Sequence, residues 1–103
     1  MSSTTFEKLE SRFDPQAAKG MDEIFQFHFT DEQSHYLHVQ DGTLGIHEGE
    51  HDDPSVTLTT STETLRGIMT GDISGMSAFM SGKLKASGNV MLATKLTSLF
   101  PSQ

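Results

Sequence analysis

The pair Asp41-Gly42 stands between two segments, 34–40 and 43–47, in which apolar and polar residues alternate. A tight two-residue hairpin turn needs a positive φ at both positions, which Asp tolerates and Gly adopts freely. With a turn here, the apolar side chains of the two segments meet on one face, as a half-buried antiparallel sheet requires. The expected pairs are Val39 with Leu44 and Leu37 with Ile46.

Three further segments have strand patterns. Residues 24–29 alternate with a phenylalanine at every second position. Continuing the meander back across the loop at 30–33 predicts that Phe27 opposes Leu37 and Phe25 opposes Val39. Residues 56–59 and 83–86 complete an expected sheet of five strands.

Helical patterns surround these strands. An amphipathic helix is expected over 4–13, where Phe6, Leu9 and Phe13 fall on one face. A second follows the capping-box spacing of Thr60 and Glu63 and stops at Gly71. A third spans 74–81, and a last helix begins after an Asn89 cap. The last three carry apolar stripes that hold Met69, Met76, Met80 and Met91, so these methionines are expected to lie near one another on the apolar face of the sheet.

Length and composition limit the alternatives. The 103 residues contain no internal repeat and are expected to form one domain, 1–103. Mean hydropathy is −0.36 and no window reaches the ~18–20 apolar residues that a membrane span needs. There is no cysteine, which excludes disulfides and thiolate metal sites and fits a reducing compartment. No signal peptide or peroxisomal ending is visible, so a cytoplasmic location is expected.

Charge is divided unevenly along the chain. The net charge of −7 separates into −9 over residues 1–53 and +2 over 54–103. An acidic balance argues against binding of a nucleic-acid backbone. The second half is nearly free of acids, and its lysines can meet an anionic headgroup or a membrane surface. The alternative is that Lys83, Lys85 and Lys95 only solvate their elements.

The string His47-Glu48-Gly49-Glu50-His51 reads as the zinc-peptidase signature H-E-x-x-H. That chemistry requires a helix, which places both imidazoles on one face around the metal. Here the string begins at the end of a predicted strand and has glycine at its centre. We therefore interpret it as an acidic loop, and no metal site is predicted. No nucleophile elbow, P-loop or dinucleotide fingerprint is present elsewhere.

The stretch from Met69 to Leu96 resembles the sterol carrier protein 2 domain family. The matching parts are Met69-Thr70-Gly71, Ala78-Phe79, Gly82-Lys83-Leu84-Lys85, Gly88-Asn89, Leu92-Ala93 and Lys95-Leu96. The order and length of the preceding elements agree as well, so the resemblance covers nearly the whole chain. Ser74-Gly75 departs from the Asn-Pro of many members, and Tyr36 falls near a position where many have Trp.

The resemblance implies an α+β fold in which a five-stranded, mainly antiparallel sheet and its helices enclose a hydrophobic tunnel. It implies a lipid-binding and transfer module for a fatty acid, fatty acyl-CoA, phospholipid or sterol, without catalytic residues or cofactors. The expected cavity lining is Leu65, Ile68, Met69, Met76, Phe79, Met80, Leu84, Met91, Leu92, Leu96 and Leu99. The alternative is a non-catalytic accessory module that binds a partner enzyme of lipid or quinone metabolism. A homodimer and transient membrane contact also stay open.

Overall fold

The computed structural model describes Glu7 and residues 10–100. Five strands form one sheet in the order β3-β2-β1-β4-β5. Its strands are β1 (Asp22–Phe29), β2 (His35–Gln40), β3 (Thr43–Glu48), β4 (Val56–Thr60) and β5 (Lys85–Gly88). Three of the four pairings are antiparallel, and β1 pairs with β4 in parallel. The predicted α+β class with a mainly antiparallel five-stranded sheet is confirmed.

The helices come mostly after β4. They are α1 (Thr62–Thr70), α2 (Gly75–Met80), a 3-10 helix (Val90–Lys95) and α3 (Leu96–Leu99). Glu7 and residues 10–12 are also helical, and Phe13 follows them outside the helix. Residues 4–6, 8 and 9, which include Phe6 and Leu9 of the helix predicted over 4–13, lie outside those described. Within the described part of the chain, no helix is long and apolar enough to cross a membrane.

The hairpin at Asp41-Gly42 forms as predicted. The φ angles of these residues are 45° and 87°, and β2 pairs with β3 in the expected register, Val39 opposite Leu44. The turn is also fixed from outside, because the Asp41 N–H donates to the Met21 carbonyl at 2.7 Å and Asp41 Oδ1 accepts from the Gly20 N–H at 3.0 Å.

The predicted register between β1 and β2 is wrong by two residues. Phe25 lies opposite Leu37, and Phe27 lies opposite His35. A shift of two keeps every side chain on the same face, so the alternation of apolar residues cannot distinguish the two registers. The pairing stops at Phe27 opposite His35, so seven residues, 28–34, separate the paired parts of the two strands, and the predicted loop at 30–33 is too short at its β1 end.

Two helix ends differ from the prediction in a similar way. Ser61, rather than Thr60, caps α1, and its hydroxyl accepts the N–H of Thr64 at 3.1 Å. Asn89 precedes the last helical segment but makes no side-chain cap there, and that segment opens as a 3-10 helix. The end of α1 at Gly71 is confirmed by its φ of 87°.

The fifth strand also starts two residues later than predicted. The backbone N–H groups of Lys83 and Leu84 both donate to the carbonyl of Ala78, at 2.9 and 3.1 Å. These bonds hold the chain against the end of α2, so pairing with β4 begins only at Lys85.

The two faces of the sheet have different chemistry. One face carries Phe25, Phe27, Leu37 and Leu58, each at most 1% exposed, and the helices pack against it. The opposite face is polar and includes Gln26, which is 1% exposed.

The buried side chain of Gln26 holds a loop through hydrogen bonds. Its Nε2 donates to the carbonyls of His35 and Gly49 at 3.1 and 3.0 Å, and its Oε1 accepts the N–H of His51 at 2.7 Å. These bonds fasten the acidic loop after β3 to the centre of the sheet.

Candidate functional site

The apolar face of the sheet meets α1 and the C-terminal helices in one buried cluster. Four residues of the predicted lining are buried in it: Leu65, Met69, Leu92 and Leu99. Leu84 and Leu96 are partly buried and pack against the same cluster. Except for Leu84, which lies in the turn before β5, these side chains come from helices at intervals of about one turn, which is why sequence periodicity could find them.

Ile68 is half-buried on α1 and faces α2. A Cβ placed on Gly75 would lie 4.0 Å from Ile68 Cγ2, so the start of α2 approaches this side chain closely. Seven residues of the predicted lining are thus buried or half-buried, and we call them the inner group: Leu65, Ile68, Met69, Leu84, Leu92, Leu96 and Leu99.

Four predicted lining residues lie on the surface instead. Met76, Phe79 and Met80 on α2 are 66%, 49% and 78% exposed, and Met91 on the 3-10 helix is 73% exposed. Only Ala78 of α2 is buried, because this two-turn helix turns a small residue inward and its large apolar side chains outward. It stays a prediction that all eleven residues line one cavity and that the fold contains a tunnel.

An open cleft of about 510 Å³ lies at the start of α1. A volume of this order is within the range of about 300–1,000 Å³ typical of small-molecule sites. Its walls are mainly polar: Thr30, Ser61, Glu63, Thr64, Ile73, Gly82 and Lys83. None of the eleven predicted lining residues is among these walls. Lys83, for which the sequence left open a headgroup contact or a merely solvating role, lies at this cleft.

Asp31 organises the same end of α1, and sequence reasoning missed it. Its Oδ1 accepts the N–H of Thr62 at 3.0 Å, and its Oδ2 accepts the Thr62 hydroxyl at 2.8 Å. These two bonds, the backbone one first, lower the pKa of Asp31 below its ordinary value. No local pattern joins residues 31 positions apart, so only the parallel pairing of β1 with β4 reveals the contact.

The H-E-x-x-H string is not helical. His47 and Glu48 end β3, and Gly49 has a φ of 101°. The rings of His47 and His51 both pack against Tyr36, with centroids 5.0 and 5.2 Å away. Among the described residues, no group of three or more His, Asp or Glu side chains could hold a metal ion.

Comparisons with known proteins agree with this architecture. The model of the SCP-2 sterol transfer family matches residues 5–101. Peroxisomal multifunctional enzyme A of Dictyostelium discoideum is 45% identical over 71 residues, which is 68% of this chain and 16% of that enzyme. The chain thus spans about a sixth of the length of this curated relative.

Two solved structures have the same fold. The sec-alkylsulfatase Pisa1 from Pseudomonas sp. superposes with a TM-score of 0.84 at 25% identity, over 92% of this chain and 15% of that one. Palmitated SCP2L2 from Aedes aegypti has a TM-score of 0.71 at 25% identity, over 97% of this chain and 94% of that one. The family match over almost the whole length, together with this fold, shows that the chain belongs to the SCP-2 sterol transfer family.

Proposed function

We propose that this chain is a lipid-binding and transfer module that holds a fatty acid, fatty acyl-CoA, phospholipid or sterol-like ligand. The observation that carries the proposal is the buried cluster on the apolar face of the sheet, which contains or is contacted by every residue of the inner group except Ile68. A relative of almost the same length and fold has been solved in a palmitated form.

In this proposal the acyl chain separates the helices from the sheet, and the inner group forms its walls. Transfer of apolar surface from water contributes about 0.8 kcal/mol for each buried CH₂, offset by the ordering of the ligand. We place the headgroup in the open polar cleft, because its walls include Thr64 and Lys83, which precede Leu65 and Leu84 in the sequence; there Lys83 supplies a cation for a carboxylate or phosphate. In the same proposal the four exposed residues of the predicted lining, Met76, Phe79, Met80 and Met91, lie around the mouth of the ligand site.

The proposal includes a domain of residues 1–103 that has no catalytic role of its own and requires no cofactor. It also includes a cytoplasmic location and no nucleic-acid partner, both consistent with the cysteine-free, acidic composition.

The test is a calorimetric titration of delipidated protein with palmitate and with palmitoyl-CoA. We expect binding of one ligand per chain. Ile68→Gln should weaken binding several-fold, because it puts an amide into the wall of the site. Thr70→Gln, at an exposed position of the same helix, is the matched control and should bind as the wild type does. Because apolar transfer has an enthalpy near zero at about 25 °C and a large heat-capacity change, the titration is run at two temperatures. Lack of any heat of binding at both temperatures, or equal affinity of all three proteins, contradicts the proposal.

A second candidate is an accessory module for a partner enzyme. The observation that favours it is that the matched region makes up 16% of a multifunctional enzyme and 15% of an alkylsulfatase, so such domains occur joined to catalytic chains. A stoichiometric enzyme that co-purifies with this chain while palmitate fails to bind would favour this candidate over the carrier.

A further inference from the structure

The exposed large apolar side chains of the described chain are concentrated in one short segment. They are Met76, Phe79, Met80, Val90 and Met91, and each is at least 47% exposed. The first three form what we call the outer patch. They occupy positions i, i+3 and i+4 of α2, so they share one side of this helix.

The segment that carries the outer patch has an unusual charge. Residues 73–103 contain three lysines and no acid, a net of +3, whereas residues 1–72 carry −10. Lys83 and Lys85 are exposed, and the hydrogen bond from the Lys83 N–H to the Ala78 carbonyl holds this cationic turn against α2. Exposed apolar side chains and cations therefore occur together in one short, acid-free segment of a chain that is otherwise strongly acidic.

We propose that the outer patch, with Lys83 and Lys85, docks onto a bilayer that contains anionic lipids. Apolar side chains can enter the headgroup region while nearby lysines meet its negative potential. The net charge of −10 on residues 1–72 disfavours contact through those residues, so the outer patch and its lysines are the surface that meets the bilayer. This inference goes beyond the proposed ligand binding and does not require it.

The lack of acids favours a membrane over a second copy of this chain. Self-association through the outer patch would bring Lys83 and Lys85 of one copy close to those of the other without a carboxylate from the same segment to compensate. An anionic bilayer supplies that compensation across its whole surface, and flexible Met side chains adapt to its irregular packing.

The test is flotation of the full chain with vesicles of phosphatidylcholine alone and of phosphatidylcholine mixed with phosphatidylserine. We expect the protein to float only with the mixed vesicles and to be released in about 1 M salt, where the Debye length falls to about 3 Å. The double variant Met76→Gln, Met80→Gln should lose most of the binding, and Gln keeps a helix propensity close to that of Met.

Charge is tested with a matched pair. Lys83→Gln should weaken binding to mixed vesicles about fivefold, the effect of one lysine near an anionic surface. Lys19→Gln makes the same change in net charge at an exposed position in the acidic region and should bind as the wild type does.

Each of three flotation results overturns the proposal: equal flotation with neutral vesicles, equal losses for the two lysine variants, or unchanged binding of the double methionine variant. Sedimentation that reveals a dimer, broken by the methionine substitutions, would mean that a second copy covers the patch and also overturns it. Palmitate titration without vesicles tests the proposed carrier separately, so failure of one proposal leaves the result for the other intact.

Discussion

At the scale of single residues, two polar side chains hold loops that the sheet alone would leave loose. Gln26 ties the acidic loop at Gly49 and His51 to the sheet, and Asp31 ties the loop after β1 to the first turn of α1. Both act on backbone groups far away in sequence. Asp31 also carries a charge, which makes its contribution dependent on pH.

The lowered pKa of Asp31 determines the sign of that dependence. The unfolded chain has an Asp pKa near its ordinary value of 3.8 and therefore takes up the proton at a higher pH than the folded chain. The stability that Asp31 contributes is fully present above that value and is lost as the pH falls through the lower, folded pKa. We expect wild-type unfolding free energy to drop more between about pH 6 and pH 3 than that of Asp31→Asn.

Urea denaturation at the two pH values measures this difference. Asp52→Asn removes an exposed carboxylate from the Gln26-held loop and keeps the same net charge as Asp31→Asn. If Asp52→Asn flattens the pH dependence as much as Asp31→Asn does, the hydrogen bonds to Thr62 are not its source.

Residue-level reasoning from the sequence had a clear limit. Periodicity placed Leu65, Met69 and Leu92 correctly toward the sheet, because long stripes indicate a buried face. Periodicity also predicted that Met76 and Met80 face the sheet, and both are exposed. A helix of only six residues has too few positions for a stripe to distinguish the two directions, and contacts distant in sequence decide which way it turns.

At the scale of elements, the edge strand β5 depends on a close approach of two backbones. Gly88 has a φ of 88°, and a Cβ there would lie 3.0 Å from the Ser55 carbonyl oxygen and 3.4 Å from Val56 Cα. Gly82 has a similar φ of 84°, but nothing lies within 4 Å of its Cβ position. A substitution at Gly82 therefore measures backbone strain alone, whereas the same substitution at Gly88 measures strain and crowding together.

We expect Gly88→Ala to destabilise the protein more than Gly82→Ala. Both lose about 1–2 kcal/mol because alanine is strained in the left-handed region. Gly88→Ala must in addition displace the Ser55 carbonyl and with it the end of the β4–β5 ladder. Thermal or urea unfolding of the two variants gives the difference, and equal losses would show that crowding at Ser55 contributes nothing.

Most elements could be predicted from the sequence, but several of their junctions could not. The strands and the Asp41-Gly42 turn follow from local patterns that agree with each other. The offset between β1 and β2 and the late start of β5 depend on loop bonds that have no sequence signal, such as those to the Ala78 carbonyl. The candidate cleft was missed because residues from four separated segments build its walls.

At the scale of the whole molecule, a bound lipid should act as an additional part of the core. If palmitate binds the folded chain alone, it stabilises it by about 2.7 kcal/mol at a free concentration of 100 Kd. For a domain of this size we expect Tm to rise by about 10–20 °C. At the same free concentration, octanoate should raise Tm much less than palmitate, because each missing CH₂ removes about 0.8 kcal/mol of binding free energy.

Differential scanning calorimetry of delipidated protein measures both shifts. Equal stabilisation by the two acids would indicate that only the carboxylate is recognised, and the absence of any shift with palmitate would contradict binding in the core.

The parallel pairing of β1 with β4 has a consequence for synthesis on the ribosome. β1 ends at Phe29, whereas its second neighbour begins at Val56, so the meander emerges before the strand that covers its other side. At about 5–20 residues per second, the unpaired backbone edge of β1 waits roughly 1–5 s for that strand. A nascent chain paused in the acidic loop would therefore present to chaperones both this unpaired edge and the phenylalanine face of β1, which the later helices cover. The negative charge of that loop would keep neighbouring nascent chains apart.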